Sequence, residues 1–390
     1  MKPMHRRRVH ISRRELFVFA AGVAATAALR VESSQAGSPP QVRRNAKTLN
    51  SAERHRFVEA VKATKGIPSR FDPSWNAYDY WVNLHYSAYY DDAMPAHMAP
   101  AFGPWHRWFT LLFEQDLQRI DPDVTIPYWD WTVDQGPDAY IWSDDFMGGE
   151  GDPDDQWIVK TGPFRQGEWR LSVIDPLSLD QDGSIYDLQR HFGVYISGGE
   201  QQTHLPTAAD LAHALSIPVY DVEPWDANSD YEQSFRNNLE GFRRSADGGK
   251  FPAETHNRVH NYIGGPMSEG ASPNDPLFWL HHSFVDMVYA AWQDRWRSGY
   301  LPVSGAREHQ NLNDTLWHLP DMTNAGMLDH HAFGYVYDRE IDGNNNAPWW
   351  ASLAQSTEGG PARAAAIAKA TKSPSAIRAL FDCTIGRPGY

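Results

Sequence analysis

The chain has 390 residues and a formal charge of −14, long enough to bury a sizeable core in one large domain or two. So acidic a body excludes nucleic acid and anionic membrane surfaces as partners. Its 16 Trp and 13% aromatic content exclude a disordered chain and point to a dense aromatic interior. The single cysteine, Cys383, rules out an intramolecular disulfide and says nothing about compartment.

In chain order, Met1–Arg14 is basic and runs into Ser12-Arg13-Arg14-Glu15-Leu16-Phe17. An apolar run, Phe17–Leu29, and the small residues around Ser34-Gln35-Ala36 follow. This order resembles a twin-arginine export signal over residues 1–36, and its apolar run is too short to span a bilayer. The resemblance implies the twin-arginine export machinery as a partner, a secreted (extracellular or periplasmic) destination and no stable membrane anchor.

The segment 42–65 carries Leu49, Phe57 and Val61 at helical spacing, with a start signal at Ser51. Between Tyr78 and Tyr90, Trp81, Leu84, His85 and Ala88 fall on one helical stripe. A loop over Asp91–Gly103 leads to a helix that opens near Pro104 and runs to about 119, with His106 in its first turn. Residues 133–185 are rich in Gly, Asp and Pro without a clear period, which predicts loops with a short hairpin at most. His55, His191, His204 and His213 have no ligand-like spacing and read as structural or surface residues. Residues 229–242 predict a helix ending Leu239-Glu240-Gly241-Phe242, and 243–253 an insert.

The most informative stretch is 256–286, HNRVHNYIGGPMSEGASPNDPLFWLHHSFVD. His256 and His260 are spaced i and i+4, so a helix would place both imidazoles on one face, one turn apart, able to grip one metal. Gly264-Gly265 stops that helix, and Ser272-Pro273-Asn274-Asp275-Pro276 starts the next with an Asx cap and a proline. The new helix carries Phe278, His281, His282 and Asp286. One histidine from it would complete a first three-histidine set; His85, His97 and His106 supply a second. Imidazole suits copper, but zinc and iron also accept it, so ligand type alone leaves the metal open.

PAFGPWHRWF and DPLFWLHHSFVD, with HNRVH and SPNDP between them, resemble the signatures of the tyrosinase family of type 3 copper proteins. The resemblance covers roughly 43–340. It implies a mainly α fold: a four-helix bundle core holding a binuclear copper site, with long irregular loops and little strand. The domain plan is then a signal at 1–36, a copper domain at 37–340 and a C-terminal extension at 341–390. Two copper ions, with O2 as co-substrate, would be held by His85, His97 and His106 on one side and His256, His260 and His282 on the other. In the family's signature the later histidine of the pair is the ligand, which leaves His281 behind it. The family's cysteine–histidine thioether is absent, because Pro95 stands two positions before His97.

Apart from the resemblance, ligating imidazoles need acceptors for their other N–H, and Glu114 and Asp286 are expected to hold ligand N–H groups. The resemblance also implies roles for other residues. Glu240 and Asn257 would hold a water that helps deprotonate a monophenol, although Glu240 stands farther from His256 than the family spacing, with Glu254 as runner-up. Asn261, Phe278 and Ser283 would shape the substrate pocket. Tyr335-Val336-Tyr337-Asp338 resembles the motif that closes the family's catalytic domain against an arginine near its start, Arg43 or Arg44 here. The expected activity is oxidation of a small phenolic substrate: monophenols to o-diphenols, o-diphenols to o-quinones, or both. A copper-loading helper is a possible partner. The alternatives are a catechol or o-aminophenol oxidase without monophenolase activity and a haemocyanin-like oxygen carrier. A di-zinc or di-iron hydrolase would need bridging carboxylates, and none stands among the six histidines.

Overall fold

A computed structural model describes residues 40–341, except 137, 174–185, 196–200, 245–249 and 252. The expected signal at 1–36 and all but the first residue of the extension lie outside the described residues. Eight α-helices are found among the described residues: α1 (Ser51–Thr64), α2 (Ala77–Tyr90), α3 (Phe102–Gln118), α4 (Ala208–Ser216), α5 (Phe235–Glu240), α6 (Thr255–Ile263), α7 (Leu277–Trp296) and α8 (Asp338–Ile341). Ten strands of two to five residues pair two by two, from β1 (Gln41–Arg43) to β10 (Tyr335–Tyr337). The architecture is therefore mainly α with little strand, and among the described residues no helix is long and apolar enough to cross a membrane.

Local chemistry sets the helix ends. Asn50, not Ser51, caps α1, its side chain accepting from the N–H groups of Ala52 and Glu53 while Glu53 returns a bond to the Asn50 N–H. The residues before it form β1 and a 3₁₀ turn at Ala46–Thr48. Asn76 caps α2 through the N–H of Asp79. The predicted helix over 229–242 shrinks to α5, because Ser234 starts it by accepting from the Asn237 N–H and Gly241 ends it at φ 104°. In the expected hairpin region, Gly151-Asp152 pairs antiparallel with Ile158-Val159.

The helices α3 and α7 form the centre. Both are buried on almost every face, as an apolar helix without a polar stripe must be. Their seam is aromatic: Trp279 stacks on Phe113 at 3.7 Å and on Phe109 at 5.1 Å, and its indole N–H donates to the Tyr78 hydroxyl on α2. Stacked pairs of this kind contribute about 0.5–1.5 kcal/mol each beyond area burial. Asp275 starts α7, accepting from the Leu277 N–H and holding Arg190 in a fully buried bidentate pair at 2.7 and 2.8 Å.

A parallel pairing of β1 with β10 closes the domain, setting Arg43 opposite Tyr337. The Arg43 guanidinium is fully buried. It bonds both Glu114 oxygens at 3.0 and 3.2 Å, Asp286 at 3.3 Å and the Tyr337 hydroxyl at 3.2 Å, and lies 3.8 Å from the Tyr335 ring centre. Arg44 instead points outward to Glu53. Arg43 is thus the arginine that meets the tyrosine motif.

Candidate metal centre

Four helices and one loop deliver the histidines. His85 lies on α2, His97 in the loop after it and His106 at the start of α3; His256 and His260 lie on α6 and His282 on α7. The coordinating atoms of His85, His97 and His106 lie within 4.8 Å of one another, and so do those of His256, His260, His281 and His282. The two groups face each other through His106 and His282, whose rings stack at 4.4 Å and 16°. The two sets expected from spacing are brought together.

The hydrogen bonds leave these rings ready for a metal. Nδ1–H of His85 donates to the Gly270 carbonyl at 2.7 Å, that of His106 to Phe102 at 2.9 Å and that of His260 to Met267 at 2.5 Å. In each of the three, Nε2 is buried without a partner. A proton fixed on Nδ1 leaves the Nε2 lone pair free to coordinate. Nε2 of His256 and His282 approach to 3.2 Å, close to the roughly 3.3 Å between two ligand atoms on one tetrahedral ion with bonds near 2.0–2.1 Å. Burial pulls these imidazoles down in pKa: His85 to about 3, His260 to about 4, and His97, His106, His256 and His282 well below the ordinary range, where neighbouring imidazoles add to the effect. All are neutral near pH 7, the form a metal binds. A buried, all-nitrogen donor set with unsatisfied Nε2 atoms fits two copper ions.

Carbonyl acceptors for both halves come from one segment. After Gly264 ends α6 at φ 69°, a 3₁₀ turn over Gly265–Ser268 swings Met267 under His260, and Gly270 then reaches His85. Glu114 and Asp286, expected to do this work, do it nowhere among the described contacts. Glu114 accepts from Arg43 and the Ile126 N–H. Asp286 accepts from Arg43, Arg107, Tyr335 and Tyr337. Carboxylates so surrounded by guanidinium groups have little left for an imidazole, and Arg107 and Arg43 hold Asp286 at a pKa of about 2 against the burial that would raise it. Sequence reading missed the carbonyls because any residue can present one.

His281 packs flat on His256 at 5.0 Å and 18°, inside the second group. Phe278 has no exposure and lies against His282 at 4.0 Å and His85 at 5.0 Å, walling the imidazoles from behind. Ser283 is fully buried with its hydroxyl donating to the Ile126 carbonyl, so it does not line a pocket: one residue past His282 is about 100° farther round the helix. Asn261 is half-buried after His260 on α6.

Glu240 arrives beside His256 despite a separation of 16 positions. Within the insert Arg243 pairs antiparallel with Phe251 and Arg244 with Lys250, which brings its two ends together, so its length does not separate α5 from α6. Gly241 permits the close approach; a Cβ there would sit 2.0 Å from the Glu254 carbonyl oxygen and 3.0 Å from Cβ of Asn257. The Glu240 carbonyl lies 3.2 Å and the Asn257 side-chain oxygen 2.9 Å from Nδ1 of His256. The buried Glu240 carboxyl accepts from the Met98 N–H and from Arg236, and burial lifts its pKa to about 7 against the pull of Arg236. Glu254 is instead 3.6 Å from Arg258.

Comparison with known proteins agrees with this geometry. Residues 75–295 match the family profile of the common central domain of tyrosinase. A tyrosinase of Streptomyces lincolnensis is 38% identical over 308 residues, covering 77% of this chain and 99% of its own. Grixazone synthase of Streptomyces griseus is 38% identical over 326 residues, covering 76% and 99%. In fold, a polyphenol oxidase from Thermothelomyces thermophila superposes with a TM-score of 0.58 at 22% identity, over 76% of this chain and 87% of its own. With the profile matched across more than half of its length and its histidines poised around two metal positions, the chain belongs to the tyrosinase family and is a type 3 copper oxidoreductase acting on phenols.

Proposed function

We propose that the protein hydroxylates monophenols to o-diphenols and oxidises o-diphenols to o-quinones, with O2 as co-substrate. Bound at the six histidines, the copper pair would supply dioxygen activation and the electron transfers. The chain's own residues hold the imidazoles neutral and aimed, exclude water behind Phe278, and manage the proton of the incoming phenol. The monophenolase reading is supported by Glu240 and Asn257 both lying against His256, the backbone carbonyl of Glu240 and the side-chain oxygen of Asn257 each within reach of Nδ1. A buried carboxyl such as that of Glu240, with a pKa near 7, has the proton affinity to take a phenolic proton through a water. Asn261, one turn after Asn257 on α6, would tune which phenol is accepted.

One observation favours the second reading, a catechol or o-aminophenol oxidase without monophenolase activity: both Glu240 oxygens already accept protein donors, Met98 N–H and Arg236. Oxygen uptake and quinone formation with tyrosine and with a simple catechol separate the two. Product from both, with Glu240→Gln losing tyrosine turnover far more than catechol turnover, is the expected outcome. Catechol turnover with no product from any monophenol would leave the second reading standing. The order of basic, apolar and small residues in 1–36 supports export by the twin-arginine route, which carries folded proteins and so requires metal before exit; a copper-loading helper follows from the same reasoning. Residues 341–390 would cover the copper domain, and their deletion should raise catechol turnover without loss of copper.

A further inference from the structure

A different set of metal-binding side chains gathers at the closing end of the domain. Asp329, His330 and His331 hold coordinating atoms within 4.8 Å of one another. Glu340, on α8, reaches the same point: Nε2 of His330 is 3.1 and 3.2 Å from its two oxygens, and Nε2 of His331 is 2.9 Å from one of them. The two imidazoles lie 4.0 Å apart, inclined by 35°. On the far side of His331, Nδ1 lies 3.2 Å from an Asp329 oxygen that also accepts the His331 backbone N–H.

A neutral imidazole carries one N–H, yet both nitrogens of His331 face carboxylates. A positive charge at Nε2, a second proton or a metal ion, satisfies both sides; with a metal ion, Nδ1–H donates to Asp329 and the Nε2 lone pair turns to the metal. A carboxylate behind a ligating histidine is the usual outer support of such a site. The spacing agrees, since ligand atoms on a tetrahedral zinc ion with bonds of 2.0–2.2 Å stand about 3.3 Å apart.

We propose that Nε2 of His330, Nε2 of His331 and the Glu340 carboxylate form a site for one divalent cation of the zinc type, with water as the fourth ligand and Asp329 orienting His331. Its mixed nitrogen–oxygen donors separate it chemically from the all-imidazole copper centre. The site opens to solvent through His331 and Asp329, whose side chains are exposed, while His330 is buried. Glu340 also accepts the Tyr337 N–H, and the His330 ring lies 5.4 Å from Tyr335. A bound ion therefore joins α8 to the 3₁₀ turn at His330–Phe333 and braces the two tyrosines that hold Asp286.

The test is titration of the copper-loaded full chain with zinc chloride, read by calorimetry, by metal analysis after gel filtration and by thermal melting. One zinc should bind while both coppers stay, and zinc should raise the melting temperature. His331→Ala, at an exposed position, should melt like the parent without zinc, retain two coppers and lose both the zinc equivalent and the zinc-dependent rise. Glu340→Gln should lose the zinc equivalent too, and Asp329→Asn should weaken it about tenfold. The assignment is overturned by no zinc uptake, by copper leaving as zinc enters, or by undiminished uptake in His331→Ala and Glu340→Gln.

Discussion

Replacing Arg43 with methionine tests the idea that a single buried guanidinium locks the domain shut. Its charge is matched by Glu114 and shared with Asp286, and no member of the group is more than 2% exposed. Methionine keeps most of the side-chain volume but leaves Glu114 with the Ile126 N–H alone and strips one donor from Asp286. Breaking a buried ion pair on one side costs about 3–5 kcal/mol, because a charge stays behind without its partner. In a domain of this size each kcal/mol moves the melting point by about 2–3 °C, which predicts a fall of about 6–15 °C. Arg44→Met is the internal control: its partner Glu53 is about one-third exposed, and pairs of that kind contribute about 0–1 kcal/mol. Melting both variants with copper loaded gives the answer. Equal shifts, or a fall of less than about 2 °C for Arg43→Met, would refute the reasoning.

Acid should weaken the same lock. Asp286 has a folded pKa of about 2, below the ordinary 3.8, so its stabilising contribution is complete above about pH 4 and is lost as pH falls through about 2; urea midpoints of Asp286→Asn should change less than the parent's across that window. Gly241→Ala should separate α5 from α6, since its Cβ would meet the Glu254 carbonyl at 2.0 Å and φ is +104°; tyrosine turnover should fall more than catechol turnover, with at least about 1 kcal/mol of stability lost in denaturant titration. Removing copper with a chelator should lower the melting point, and restoring free copper to about a thousand times its Kd should return about 4 kcal/mol; an unchanged melting point would mean that the histidines do not hold the metal.

The site was legible in the sequence where its geometry is local. His256 and His260 share a helix face by spacing alone, and the glycine pair after them announced the break that the structure places at Gly264. What escaped was long-range or carried by backbone. The resemblance pointed to Arg43 or Arg44 against a tyrosine motif 294 positions from Arg43, but the choice between them depends on three-residue strands too short to declare themselves. That pairing draws Asp286 and Glu114 toward the arginines, so two carboxylates in good positions to serve imidazoles turned out to serve guanidinium groups. Ser283 looked like a pocket residue because it follows a ligand, yet helix rotation buries it. The helix expected over 229–242 is six residues long because Ser234 and Gly241 bound it more tightly than the apolar pattern suggested.

The pairing of Arg243 with Phe251 gives the molecule an insulated doorway. Because the chain leaves and returns at one paired rung, a splice between those residues should leave Glu240 and His256 in place. Lengthening such an excursion is cheap, about 0.6 kcal/mol for each doubling. A reporter peptide or an affinity tag threaded there would ride on the enzyme within reach of its copper centre while leaving the distance that matters untouched.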